Sequence, residues 1–136
     1  MDPIVLIHGY SAESKDTTSD SIAGIYGTLP DALRKRYGAP NFVVINLGRY
    51  ISLEDGITID DISRAFDRAL RTDHPELLQR RFHVIIHSTG ALVIRNWIRK
   101  FSPKPSPIGN LIYLAGANFG SGFFTCWPIS ARVLRM

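Results

Sequence analysis

Phe82-His83-Val84-Ile85-Ile86-His87-Ser88-Thr89-Gly90-Ala91-Leu92-Val93-Ile94 passes from one periodicity to another within a few residues. Phe82 to Ile86 is a mostly apolar, β-branched run, the pattern of a strand buried on both faces. From Ala91 to Phe101 the apolar positions Leu92, Val93, Ile94, Trp97 and Ile98 recur with helical spacing. A strand therefore turns into a helix across His87 to Gly90, and Ser88 stands in the middle of the turn.

The same alternation extends outward from this stretch. Upstream, Phe42-Val43-Val44-Ile45 is a β-branched run bounded by Pro40-Asn41 and Gly48-Arg49, which predicts a second buried strand. Between the two, Thr58 offers an N-cap, Asp60 and Asp61 suit the helix dipole, and Ile59, Ile62, Phe66, Ala69 and Leu70 share one helical face. Ile4 to Ile7 predicts a strand at the start of the chain. A polar stretch from Ser11 to Ser21 follows it. Ile22, Ile25, Leu29 and Leu33 then predict a helix interrupted near Pro30 and stopped at Gly38. Downstream, Pro103, Pro105 and Pro107 read as a stiff linker before a strand at Leu111 to Leu114.

Strands thus alternate with helices, and the connections are long enough for parallel pairing. With right-handed crossovers this implies an α/β fold, a doubly wound and mainly parallel sheet of about four strands.

Composition is compatible with that fold. The 136 residues make one domain, and 45% hydrophobic with 21% charged residues is ordinary for a globular protein. The net charge of +4 is carried by scattered basic residues, which argues against nucleic-acid binding. The single cysteine, Cys126, excludes an internal disulfide and a zinc site built on cysteine pairs. No apolar run reaches the length of a membrane span, and Met1-Asp2-Pro3 does not open a signal peptide, so a cytoplasmic location is expected.

Ile86-His87-Ser88-Thr89-Gly90 occupies the place of a G-x-S-x-G elbow, in which a serine on a strained strand-to-helix turn presents its hydroxyl at the sheet edge. His8-Gly9-Tyr10 leaves the first strand toward the same end of the sheet. There the backbone N–H of Tyr10, together with that of Thr89, is placed to form an oxyanion hole. His8, Gly9, His87 and Gly90 read as supports of the loop and the elbow.

VLIHGY (5–10), IDDISRAFDRAL (59–70), HSTGALVIRNWI (87–98) and LIYLAGANFGS (111–121) resemble the lipase and esterase branch of the α/β-hydrolase superfamily. The resemblance covers about residues 3–121. It implies that Ser88 is an acylated nucleophile, that the oxyanion donors are the backbone N–H groups of Tyr10 and Thr89, and that the substrate is a small carboxylic ester. No cofactor and no metal is implied.

Two departures qualify this. The family has glycine two residues before the serine, where this chain has Ile86, whose branched side chain is expected to crowd the turn. The family also places an acid and then a histidine after the serine, and residues 89–136 contain no Asp, Glu or His. No triad in the family's order can be drawn.

The expectation is a truncated α/β-hydrolase fold, 1–121, followed by an atypical tail, 122–136. Where relatives continue with proline and an Ala-His-Lys segment, this chain has Gly122 and Trp127-Pro128-Ile129-Ser130, a departure attributed to truncation or a shift of reading frame. The function expected is a weak or inactive serine hydrolase, the alternatives being a noncatalytic α/β binding module or a nonfunctional fragment. An open edge at the fourth strand would favour self-association. Other polar residues have simpler readings. Asp60 and Asp61 open a helix, Arg95 and Arg99 form a solvated helix face, and His74 and His83 lie at the surface or a strand edge. The glycines between Gly116 and Gly122 lack the spacing of a nucleotide-binding loop.

Overall fold

A computed structural model of the chain describes residues 1–8, 25–51 and 56–115. Four strands, β1 (Ile4–Ile7), β2 (Phe42–Ile45), β3 (Phe82–His87) and β4 (Ile108–Leu114), form one sheet in the order β2-β1-β3-β4. Every pairing is parallel, with Ile7 opposite Ile45 on one side and Ile86 on the other, and His87 opposite Leu114.

Among the described residues, the helices α1 (Leu29–Tyr37), α2 (Ile59–Thr72) and α3 (Gly90–Lys100) lie on the two faces of the sheet. Alternation along each strand sends side chains to opposite faces. Val5, Ile7, Val84 and Ile86 join Ile62, Phe66, Ala69, Val93, Ile94 and Trp97 in the larger core under α2 and α3. Leu6 and Ile85 join Tyr26, with Leu29 and Leu33 of α1 against them, in a smaller core on the other face. The sheet is therefore doubly wound, as the alternation of strands and helices implies.

The helix boundaries have local causes. At α2, Thr58 Oγ1 accepts from the Asp61 N–H at 3.2 Å and Asp61 Oδ2 accepts from the Thr58 N–H at 2.9 Å, a reciprocal capping box. Gly38 ends α1 with φ 82°, a conformation that favours glycine, and its N–H donates to the Arg34 carbonyl at 2.9 Å. The interruption expected near Pro30 is there: residues 25–26 are helical, 27–28 form a turn, and α1 starts at Leu29. Pro30 lies in the first turn of α1, where its missing N–H has no intrahelical partner to lose.

β4 begins at Ile108, three residues before the expected start at Leu111. Gly109 explains the close approach to β3: a β-carbon there would lie 2.8 Å from Cε1 and 2.9 Å from Nδ1 of His83. The tail 122–136 lies outside the described residues.

Candidate active site

β3 ends at His87 and α3 begins at Gly90, so Ser88 and Thr89 alone make the turn. Ser88 has φ 51°. For a residue with a β-carbon this left-handed conformation costs about 1–2 kcal/mol, so the surroundings must hold it. They do so from both sides: the Ser88 N–H donates to the Leu114 carbonyl at the end of β4, and the Ser88 carbonyl accepts from the Ala91 N–H in α3, each at 3.2 Å. Ser88 itself is half-buried while Thr89 and Gly90 are buried. The turn thus leaves the serine at the carboxyl end of an inner parallel strand and at the start of a helix, whose dipole favours negative charge.

Ile86 does not crowd this turn. Its side chain is fully buried in the larger core, and the space it fills lies over Gly90, where a β-carbon would stand 2.7 Å from Ile86 Cγ2 and 3.3 Å from the His8 carbonyl oxygen. Gly90, two residues after the serine, supplies that room.

His8 is 1% exposed, and its Nε2 accepts from the Leu47 N–H at 3.0 Å. That bond uses the ring's acceptor nitrogen to tie the end of β1 to the segment after β2. His83 accepts from the Asn110 N–H at Nδ1, 3.0 Å, and faces the Asp2 carboxylate through Nε2 at 3.6 Å. His74 lies 3.6 Å from Glu76. His87 projects to the α1 face, where its ring meets Tyr26 edge-on at 5.9 Å between centroids. Among the described residues no hydrogen bond joins the Ser88 side chain to a histidine. Gly9 and Tyr10, and with them one of the two expected oxyanion donors, lie outside the described residues.

Tyr26, not singled out by the sequence reading, belongs to this neighbourhood. It is buried, and its hydroxyl donates to the carbonyl of Ile7, the last residue of β1. Burial pushes the phenol far above its ordinary range, with the adjacent backbone of His87 pulling the other way. The phenol is therefore a permanent neutral donor. A hydroxyl-bearing aromatic among Ile22, Ile25 and Leu29 was the one available signal.

Away from the elbow, polar groups knit α2 to α3. Asn96 is 1% exposed and donates to Asp60 Oδ1 at 2.7 Å and to Ser63 Oγ at 3.0 Å, while Lys100 Nζ meets both Asp60 oxygens at 2.7 Å. The Lys100 and Asn96 bonds hold the Asp60 carboxyl below the usual carboxylate range. Asp60 is thus engaged in packing two helices and takes no part in the turn at Ser88. No helix among the described residues is long and apolar enough to cross a membrane.

No protein-family model and no curated protein sequence matches the chain. Solved structures do, two of them of one phospholipase. Phospholipase PlaB from Legionella pneumophila is 31% identical over 92% of this chain with a TM-score of 0.71, and the match takes in 27% of that protein. PlaB in complex with thio-NAD is 30% identical over 98% of this chain, again with a TM-score of 0.71, and the match takes in 28% of it. The chain therefore spans about a quarter of the length of the phospholipase it is similar to. At the coarse level this similarity is to a lipase or esterase-type hydrolase. It agrees with the architecture described above, part of an α/β-hydrolase-like fold.

Proposed function

We propose that the chain carries the nucleophile portion of a serine hydrolase of the esterase or lipase type, with Ser88 attacking the carbonyl of a carboxylic ester to form an acyl-serine. The observation that carries this reading is the φ of 51° at Ser88. A strained, half-buried serine between an inner strand and a helix is the conformation that a nucleophile elbow requires. The negative charge developing on the ester oxygen would be met by the backbone N–H of Thr89 and, from the loop after β1, that of Tyr10. His8 and Gly9 support that loop, and His87 and Gly90 support the elbow.

The triad is not completed by this chain. Residues 89–136 offer no acid or histidine, and the ring acceptors of His8 and His83 are already taken by backbone N–H groups. Ser88 is thus left as a neutral hydroxyl whose acylation is weak. This one observation also favours the second reading, a noncatalytic α/β module that binds ligand in the same cleft.

A fluorophosphonate probe separates the two. The hydrolase reading expects slow, stoichiometric phosphonylation at Ser88, located by peptide mass spectrometry and absent after heat denaturation. Labelling no faster than in the denatured chain would favour the binding module. Self-association through the edge strand β4 and a cytoplasmic location complete the proposal.

A further inference from the structure

We propose that Tyr26 is a positioning residue for Ser88, its phenol pinning the end of β1 beside the strand that enters the elbow. The inference rests on the hydrolase reading and goes beyond it, because Tyr26 lies outside both motifs.

The paired segment of β1 and β3 ends with Ile7 opposite Ile86. Past that rung β1 continues into His8, and β3 into His87 and Ser88. In the parallel ladder the Pro3 carbonyl accepts from the His83 N–H at 2.8 Å, one residue beyond its own partner. The same alternation sets the Ile7 carbonyl opposite the backbone of His87. Tyr26 reaches that rung: its hydroxyl donates to the Ile7 carbonyl, and its ring packs edge-on against the His87 imidazole, 5.9 Å away at 73°. The ring is set among Leu6, Phe42 and Ile85 in the smaller core, so its hydroxyl is aimed by packing rather than by solvent.

Two consequences follow for the chemistry. The end of β1 at Ile7 and the entry to the elbow at His87 are held by one side chain, which matters because an oxyanion donor next to Ser88, such as the Thr89 N–H, must lie about 3 Å from the developing charge. The His87 ring is also kept on the α1 face of the sheet, so the backbone that enters the Ser88 turn cannot roll. A misplacement of about 1 Å in such a site lowers reactivity on the order of a hundredfold.

The test uses the full chain and p-nitrophenyl butyrate, following the acyl adduct on Ser88 by intact-mass spectrometry, with Ser88→Ala as the blank. Tyr26→Phe keeps the ring and removes the donor. The control Tyr50→Phe removes a hydroxyl bonded to Asp73, on the surface. We expect Tyr26→Phe to slow Ser88 acylation by about tenfold or more at saturating ester with the half-saturating concentration nearly unchanged, Tyr50→Phe to stay within about twofold, and 4-aminophenylalanine at position 26 to restore most of the rate. Hydrogen exchange should quicken at residues 7–8 and 87–89 in Tyr26→Phe and stay unchanged in α2. Should Tyr26→Phe fail to fold, 4-fluorophenylalanine at position 26 takes its place.

Acylation of Tyr26→Phe at the wild-type rate, with the wild type labelled on Ser88, overturns the positioning role and leaves the hydrolase reading standing. A wild-type chain with no adduct on Ser88 overturns that reading and this proposal with it.

Discussion

Ile86 and Gly90 share one volume: the Ile86 Cγ2 methyl lies 2.7 Å from where a β-carbon on Gly90 would stand. The first residue of α3 must therefore be glycine as long as β3 carries isoleucine at this position. Gly90→Ala should destabilise the fold by about 1–3 kcal/mol through overpacking, more than the roughly 1 kcal/mol that alanine gains in helix propensity. Pairing it with Ile86→Ala should recover part of the loss, since the two sites compete for the same space. Urea denaturation of the single and double variants measures both effects, and additive losses would show that the contact is not shared.

Ile86→Gly has the opposite sign from the one its sequence position suggests. Glycine two residues before the serine looks like a repair of the elbow, yet Ile86 is fully buried in the larger core. Removing a buried isoleucine costs about 2–5 kcal/mol, to which glycine adds conformational entropy. The melting temperature of Ile86→Gly should fall by several degrees. A rise would mean that the isoleucine strains the turn after all.

The buried Leu47 N–H depends on His8 Nε2 at 3.0 Å. His8→Phe leaves that donor without a partner and should lower stability by about 1–3 kcal/mol, whereas His8→Gln, with a side-chain oxygen in reach, should lose less. Ser88 acylation in His8→Gln should persist, because His8 Nε2 is engaged by the Leu47 N–H. Loss of acylation without loss of stability would assign His8 a direct part in the chemistry.

Acid stability follows from the two carboxyls at the start of α2. Lys100 and then Asn96 hold Asp60 below its ordinary value of 3.8, and the Thr58 side chain and then the Thr58 N–H do the same for Asp61. A carboxyl whose folded value is depressed contributes stability that is present above the unfolded value and is lost as pH falls through the folded one. The melting temperature should therefore be flat from neutral pH down to about 5 and drop below about 4. In Asp60→Asn the neutral-pH value should already be lower and the acid drop smaller. An acid drop of unchanged size in that variant would place the linkage elsewhere.

Much of the fold was legible because its causes are local. Ile4 to Ile7 and Phe42 to Ile45 are short β-branched runs with breakers at both ends, and Thr58 with Asp61 is a complete capping signal within four positions. Pro30 marked the break before α1, because a residue excluded from a helix interior is well suited to a first turn. Ile108 to Asn110 followed three prolines and hid the start of β4, and what makes a strand there is the fit of Gly109 against His83 across the sheet. Ser88 was found through its position between a strand and a helix. The Ile86 to Gly90 accommodation and the bond from Tyr26 to Ile7 were not, because each is a contact through space with no spacing rule to reveal it.

The most direct measurement is p-nitrophenyl butyrate hydrolysis by the 136-residue chain beside Ser88→Ala. With Ser88 as nucleophile and no acid or histidine in residues 89–136 to complete a triad after it, the account expects an acyl adduct on Ser88, absent from the variant. It also expects turnover no more than about 10³ to 10⁴ over water, the residual acceleration that binding and an oxyanion hole leave when a triad is broken. Turnover at ordinary enzyme rates that vanishes in Ser88→Ala would contradict the missing base. Equal rates in both chains, with no adduct, would contradict the nucleophile.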